Sequence, residues 1–472
     1  MANESIGHKN VGHKSTGHEN IGHKSTGHEN NGHKSTGHKS AGYKSTGHKS
    51  AGHKSAGHEN VGQGNFDLLL INGYIIDPAN NMNMKGCVAI RDSAIAAVGP
   101  DIPCESARQV VDVNGSYIVP GLIDIHSHVY PLLPPGSDNT LLTIDADTTM
   151  LRSGVTTTVD VGTSGWRDFI NFKEQIIDAS KVRILALINV ASKGMIDLNS
   201  EQDPHQLHPE ITAEVAKQYR DVVVGIKAAH YWVGKPFDGI HTPWASVDSG
   251  LRAAELCGMP FMIDFQPNYE PPGRTYEDLI LKKLRPGDIH THVFAKQFPI
   301  IGEDGKVLPH MWEARKRGVY FDVGHGAGSF WFRNGKPALD DGFYPDTLST
   351  DMHVSSVRFT GLDHLQVMSK FLNMGMSLED VILRSTSEAA RLIRRQELGS
   401  LSVGACADIA VIRVLKGKFG YVDCGMAKIR GDRKLDCMLT IRDGKILYDP
   451  NGLSLPDWRD APEDYWKMPF LP

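Results

Sequence analysis

From about residue 64 the chain alternates apolar runs with polar segments, and the spacing of that alternation changes twice. At first the runs lie close together. Phe66–Ile71 reads as a strand, Asn72-Gly73 as a hairpin turn and Tyr74–Asp77 as the partner strand. Val88–Ile90 and Ala94–Gly99 form a second hairpin-like pair, and Val110–Val113 runs into a turn at Asn114-Gly115. This predicts a small antiparallel β segment. From residue 117 the runs move apart, to 117–127, 155–162, 182–192, 222–229, 259–266, 288–294, 318–325 and 347–352. Helix-length segments such as 168–180, 209–220, 245–257 and 307–317 lie between them. Eight β-then-α units over about 275 residues predict an α/β chain folded as a (β/α)8, TIM-like barrel, for which about 250 residues is typical. A doubly wound open sheet is the alternative, weakened because no Gly-rich phosphate turn follows the first strand.

Short strands return at 408–412, 439–441 and 445–448, with Asp443-Gly444 as a hairpin turn. The β-rich flanks, 64–116 and 398–450, are expected to join as one small composite β-sandwich domain beside a barrel of residues 117–397. Residues 451–472, rich in Pro, Trp and Asp, read as an extended tail or an interface arm, which leaves room for a homo-oligomer.

Residues 1–63 follow neither pattern. They repeat a five-residue unit, Gly-His-(Lys/Glu)-(Ser/Asn)-x, with almost no apolar residue, and so are expected to be disordered. Ten of the 22 histidines fall there. Weak multivalent binding of Zn, Cu or Ni is one reading, and an expanded repeat with no catalytic role is the preferred one.

Composition narrows the function classes. The 472 residues are 40% hydrophobic and 22% charged, ordinary for a globular protein, and a net charge of −5 carries no nucleic-acid signature. No run of about 18 apolar residues suggests a membrane span, and no apolar leader opens the chain. The expectation is a soluble cytoplasmic protein acting on a small-molecule substrate. Six dispersed cysteines without a C-x-x-C pair point to reduced thiols.

The chemistry sits at the expected strand ends. Val119-Pro120-Gly121-Leu122-Ile123-Asp124-Ile125-His126-Ser127-His128 is an apolar run ending in histidines at i and i+2, which project to one side of a strand. Alone, the pair is equally readable as packing or as the start of a metal site. Later strand ends add Lys227, Asp264, His290 and His292, Asp322 and His325, and Asp351. Charged groups are rarely buried without partners, and a metal would supply one. The buried Lys227 has three readings: paired with a carboxylate, neutral and reactive, or carboxylated by CO2 into an anionic bridge between ions.

This ordered set, with Gly225-Ile226-Lys227, Thr291-His292 and Ser349-Thr350-Asp351, resembles the amidohydrolase superfamily, in its deacetylase and dihydroorotase-like branch. The resemblance covers about residues 66–450. It implies one or two divalent ions, zinc first, with manganese or iron as alternatives. His126 and His128 would bind one ion, a carboxylated Lys227 would bridge two, and His292 would bind the second. Asp351 would bind the first ion and move the proton of the attacking hydroxide.

One departure stands out. Asp264 occupies the strand-5 position where that family most often has histidine. Asp264 is read as a ligand; in the alternatives His230 supplies the imidazole, or only one ion is held tightly. His230, His325 and Arg333 are candidate substrate contacts, His290 is read as structural, and Tyr130, Tyr231 and Trp232 are read as pocket lining or rim packing. The expected activity is hydrolysis of amide or ester bonds, as a deacetylase of N-acyl or O-acyl substrates. Ring opening of a cyclic amide and a metal-free scaffold are the alternatives.

Overall fold

A computed structural model describes residues 65–131, 143–195, 200–230, 238–242, 244–265, 280–297, 300–463 and 465–466, apart from the side chains of His230 and Phe265. The 1–63 repeat lies outside the described residues.

The first strand, β1 (Phe66–Asp77), runs straight through the expected turn. Asn72 has φ +58°, and the register against β2 (Met82–Arg91) shifts between Leu70 and Gly73, so Asn72-Gly73 forms a bulge inside one long strand. β2 does form the expected hairpin with β3 (Ala94–Gly99). On its other edge β1 serves two parallel neighbours. Phe66–Ile71 pairs with β4 (Ala107–Asp112), and Tyr74 and Ile75 pair with β5 (Tyr117–Pro120). The expected antiparallel segment is therefore a mixed sheet, bent at the bulge. A side chain at Gly73 would meet Ile118 Cδ1 at 2.3 Å, so the buried Ile118 would have to move to admit one.

The expected strand 117–127 divides at Gly121. Residues 117–120 remain with the first sheet, and β6 (Leu122–Ser127) opens a second one. A Cβ on Gly121 would lie 2.2 Å from Thr156 Oγ1, so only glycine lets the strand cross so tightly between the sheets. β7 (Val155–Gly165), β8 (Arg183–Asn189), β9 (Val223–His230), β10 (Phe261–Phe265), β11 (Ile289–His290) and β12 (Tyr320–Phe321) follow in sequence order, all parallel. Residues 347–352 form no strand. They bridge the two edges instead, through parallel pairs Asp322↔Thr347 and Ser127↔Met352. The sheet is thus curled as in a TIM-like barrel, with helices Pro209–Gln218, Ala245–Cys257 and Pro309–Lys316 close to the segments expected. The expected helix 168–180 is a short α-helix, Phe169–Phe172, continued by a π-helical turn.

Each barrel strand has two apolar faces, as a parallel sheet covered on both sides requires. Ile184, Ala186 and Ile188 of β8 share a core with Phe169, Phe172, Ala213 and Ala216 of the flanking helices. Leu185 and Leu187 share another with Ile123, Val159 and the 389–398 segment.

The chain then returns to the first sheet. β13 (Ile409–Val422) pairs with β5, β14 (Lys428–Arg442) with β13, and β15 (Lys445–Tyr448) with β14 through the expected Asp443-Gly444 turn. The flanks therefore form one hydrogen-bonded sheet of eight strands. Leu68, Ile90 and Ile118 from one flank pack with Ile409, Leu439 and Ile441 from the other. Among the described residues no helix is long and apolar enough to cross a membrane, and all six cysteines are free thiols.

Candidate metal centre

Three buried side chains meet at the C-terminal ends of the barrel strands. His128 Nε2 lies 3.2 Å and His126 Nε2 3.6 Å from Asp351 Oδ1. The other ring nitrogens are engaged. His126 Nδ1 donates to Thr291 Oγ1 at 2.9 Å and lies 3.3 Å from Asp322 Oδ2, and His128 Nδ1 is hydrogen-bonded with Thr163 Oγ1 at 2.8 Å. With the proton on Nδ1, both Nε2 lone pairs are left facing the carboxylate. Metal-binding histidines are oriented in this way. The donor set suits a divalent ion: two imidazole nitrogens and a carboxylate oxygen, drawn together with their outer atoms already bonded.

Asp322 is part of this support. It accepts from Thr291 Oγ1, Thr347 Oγ1 and Ser349 Oγ at 2.7, 2.6 and 2.8 Å. Burial opposes its charge, but His126 and the hydroxyl donors hold its carboxyl below the ordinary range. Asp124 ties the ligand strand to the closing segment, accepting from the backbone N–H of His126 and of Thr350. For Asp351, burial likewise opposes ionisation and is outweighed by His126, His128 and His353, which hold its carboxyl well below the usual carboxylate range. Asp351 sits at φ +47°. Gly326 of the facing loop sits at φ +54°, where an added Cβ would be 2.3 Å from Asp351 Oδ2.

A second pair adjoins the three. His292 Nδ1 donates to the Gly324 carbonyl at 2.6 Å, which turns Nε2 toward Asp264 Oδ2 at 3.3 Å. Burial disfavours its protonated form, yet the Asp264 carboxylate prevails and raises His292 to about 9. The His126 and His292 rings lie 5.0 Å apart. Among the described residues, no further His, Cys, Asp or Glu brings a ligand atom within 4.8 Å of both members of this pair. Lys227 is the remaining neighbour, fully buried, with Nζ 4.0 Å from Asp264 Oδ2 and no hydrogen-bond partner among the described residues. Gly162 makes room for its stem, since a Cβ there would lie 2.9 Å from Lys227 Cβ and Cγ.

Glu201 has no signature in the sequence. It lies in a polar run after β8 that reads as loop, yet it is buried in a 3-10 turn, Ser200–Gln202. Its Oε1 accepts from Asn189 Nδ2 at 2.7 Å, and its Oε2 has no partner among the described residues. Burial pushes the carboxyl up to about 7, against the pull of Lys227. A polar loop residue directed inward has no periodicity to reveal it.

The remaining candidates lie away from the three converging ligands. His325 is fully buried and stacked on Phe330. Its Nδ1 donates to the Gly326 carbonyl at 2.9 Å, and its Nε2 accepts from Lys370. Both nitrogens are thus occupied, and the ring braces the loop beside Asp351 where a substrate contact was expected. Arg333 is exposed on the helix Phe332–Asp340. His290 is buried against Phe321, and burial pushes it down to about 4. Tyr130 packs on Phe172 and donates to Asp168. The His230 side chain, Tyr231 and Trp232 lie outside the described residues.

Residues 117–242 match the model of the amidohydrolase family. A deacetylase of Brucella anthropi is 32% identical over 339 residues, 71% of this chain and 80% of that protein. A deacetylase of Agrobacterium fabrum is 32% identical over 338 residues, 70% and 79% of the two chains. Among solved structures, a dihydroorotase is 27% identical with a TM-score of 0.67, covering 81% of this chain and 97% of that one. An adenine deaminase shares the fold, with a TM-score of 0.72 over 81% and 100% of the two chains at 24% identity. The ligand geometry and these relatives lead to one conclusion: the chain belongs to the amidohydrolase family of hydrolases.

Proposed function

We propose that this protein is a metal-dependent deacylase that removes acyl groups, acetyl first, from N-acyl or O-acyl substrates. The observation that carries the reading is the convergence of His126, His128 and Asp351, with the outer nitrogens of both imidazoles fixed by neighbouring residues. A divalent ion held there, zinc first, supplies Lewis-acid polarisation of a carbonyl and a water of pKa about 7. His126 and His128 would present their Nε2 atoms to it, their Nδ1 atoms being engaged by Thr291 and Asp322 and by Thr163. Asp351, kept ionised by its histidine neighbours, takes the proton of the attacking water and returns it to the leaving nitrogen or oxygen. The deacetylase names of two relatives at 32% identity support acyl transfer to water over other chemistry on this fold. Ring opening of a cyclic amide is the second reading, favoured by the likeness to a dihydroorotase structure at 27% identity.

The test is a screen of zinc-loaded protein against N-acyl amino acids, O-acyl hydroxy acids and cyclic imides. At least one acyl compound is expected to turn over, and His126→Ala is expected to abolish that turnover. Hydrolysis of cyclic imides alone would move the assignment to the second reading. A chain that binds no metal and hydrolyses none of these would overturn both.

A further inference from the structure

The strand that delivers the first two candidate ligands ends before the second of them. β6 stops at Ser127, and its pairing with β7 stops at Ser127↔Asp160. His128 therefore stands on backbone that no sheet ladder holds, and its polar groups must find other partners. Its N–H donates to the Met352 carbonyl at 2.9 Å, and its carbonyl accepts from the Ile144 N–H at 3.0 Å. The next N–H along the chain, that of Val129, donates to Asp160 Oδ2 at 2.9 Å.

The other oxygen of the same carboxylate reaches the support of the His128 ring. Asp160 Oδ1 accepts from the backbone N–H of Thr163 at 2.9 Å and closes a turn in which Gly162 takes φ +78°. That turn sets Thr163 Oγ1 2.8 Å from His128 Nδ1. One fully buried side chain thus ties the peptide that follows His128 to the residue that holds its ring. The residue type matters here. An ionised carboxylate accepts on both sides, whereas an amide of the same size has one acceptor and one donor. Asparagine at 160 would turn its NH2 against one of the two N–H groups, and a buried N–H left without an acceptor is costly.

We infer that Asp160 is a positioning residue of the metal centre, fixing the His128 ring through Thr163 and the Val129 peptide and acting on the ion only through that ring. This rests on the metal-dependent reading given above.

The experiment measures zinc affinity of the full chain by chelator competition and the visible absorption of the cobalt(II)-loaded protein. Asp160→Asn is expected to weaken zinc binding by about 10- to 100-fold, the range for groups that orient a metal ligand, and to shift the cobalt bands. Thr163→Val, which removes the hydroxyl, is expected to do the same. The double variant should lose little more than either alone, because both act on one ring. Asp288→Asn is the control. Asp288 is also buried and accepts from the backbone N–H groups of Phe261 and Arg285, at 2.9 and 2.8 Å, but it precedes β11 at the far end of the barrel. It is expected to lose stability and to keep wild-type zinc affinity and cobalt spectrum. Wild-type zinc affinity in Asp160→Asn, losses that simply add in the double variant, or an equal loss in Asp288→Asn would each overturn the inference while leaving the metal-dependent reading intact. Should Asp160→Asn fail to fold, Thr163→Val decides, because wild-type affinity and spectrum there would leave Asp160 nothing to position. Wild-type protein that binds no zinc would overturn the inference together with the reading beneath it.

Discussion

Gly326→Ala tests the metal site without replacing a ligand. Gly326 holds φ +54°, a conformation that costs an L-residue roughly 1–2 kcal/mol. Its added Cβ would stand 2.3 Å from Asp351 Oδ2, where ordinary contact begins at 3.4 Å. One of the two must give way by about 1.1 Å. The loop is poorly placed to do so, because the Gly326 N–H donates to the Thr350 carbonyl and its own carbonyl accepts from His325. The displacement therefore falls mainly on Asp351. A shift of about 1 Å in a catalytic group costs on the order of 100-fold in rate, or about 2.7 kcal/mol of transition-state stabilisation. Zinc affinity, measured by competition with a chromophoric chelator, is expected to fall with kcat on whichever acyl substrate the screen identifies. Gly328→Ala is the control. It lies two residues along the same loop, has no atom within 4 Å of an added Cβ, and is expected to behave as wild type. A Gly326→Ala protein with wild-type zinc affinity and kcat would refute the coupling of this loop to Asp351.

Three further outcomes are expected. Arg183 joins the barrel to the eight-stranded sheet, pairing with the buried Asp408 and, at 2.9 Å, with Asp443, so Arg183→Met leaves Asp408 without its cation while Asp443 keeps Arg442. It should destabilise the fold by roughly 3 kcal/mol in chemical denaturation, and an unchanged midpoint would refute the clamp. Lys370 is buried with no carboxylate in ion-pair range among the described residues, and burial lowers it to about 7 from an ordinary 10.5. Between those values the unfolded chain holds the proton and the folded chain does not. Stability should therefore rise with pH across that window, by up to about 1.4 kcal/mol per pH unit, and Lys370→Met should flatten the rise between pH 7 and 9. Deleting residues 1–63 should leave turnover unchanged, because every candidate ligand lies between residues 126 and 351; a large loss of kcat would assign the repeat a catalytic role.

The strands that bear ligands were legible wherever a long apolar run ended in a charged or imidazole group, as at His126, Lys227 and Asp264. Boundaries failed where the backbone leaves the strand early. The expected 288–294 and 318–325 strands shrink to two residues each, and His292 itself turns to φ +59°. Residues 347–352, expected as the eighth strand, form none and are held by bridges and side-chain bonds rather than a ladder. Asn72-Gly73 has the composition of a turn, and tertiary pairing on both edges of β1 made it a bulge. His325 lies in a glycine-rich loop, yet Lys370 and Phe330 draw its ring inward, away from the substrate contact expected of it.

The division of one strand at Gly121 has a consequence for how the protein is made. The residues just before the first two ligands pair with β13, Val119 with Ala410 and Ile118 with Val411. A ribosome must therefore deliver most of the chain before the segment leading to His126 and His128 has its neighbour. Contacts so distant in sequence slow folding. The metal centre is then among the last parts to mature, and a nascent chain stalled before residue 409 is expected to bind zinc weakly even though every candidate ligand has already been synthesised.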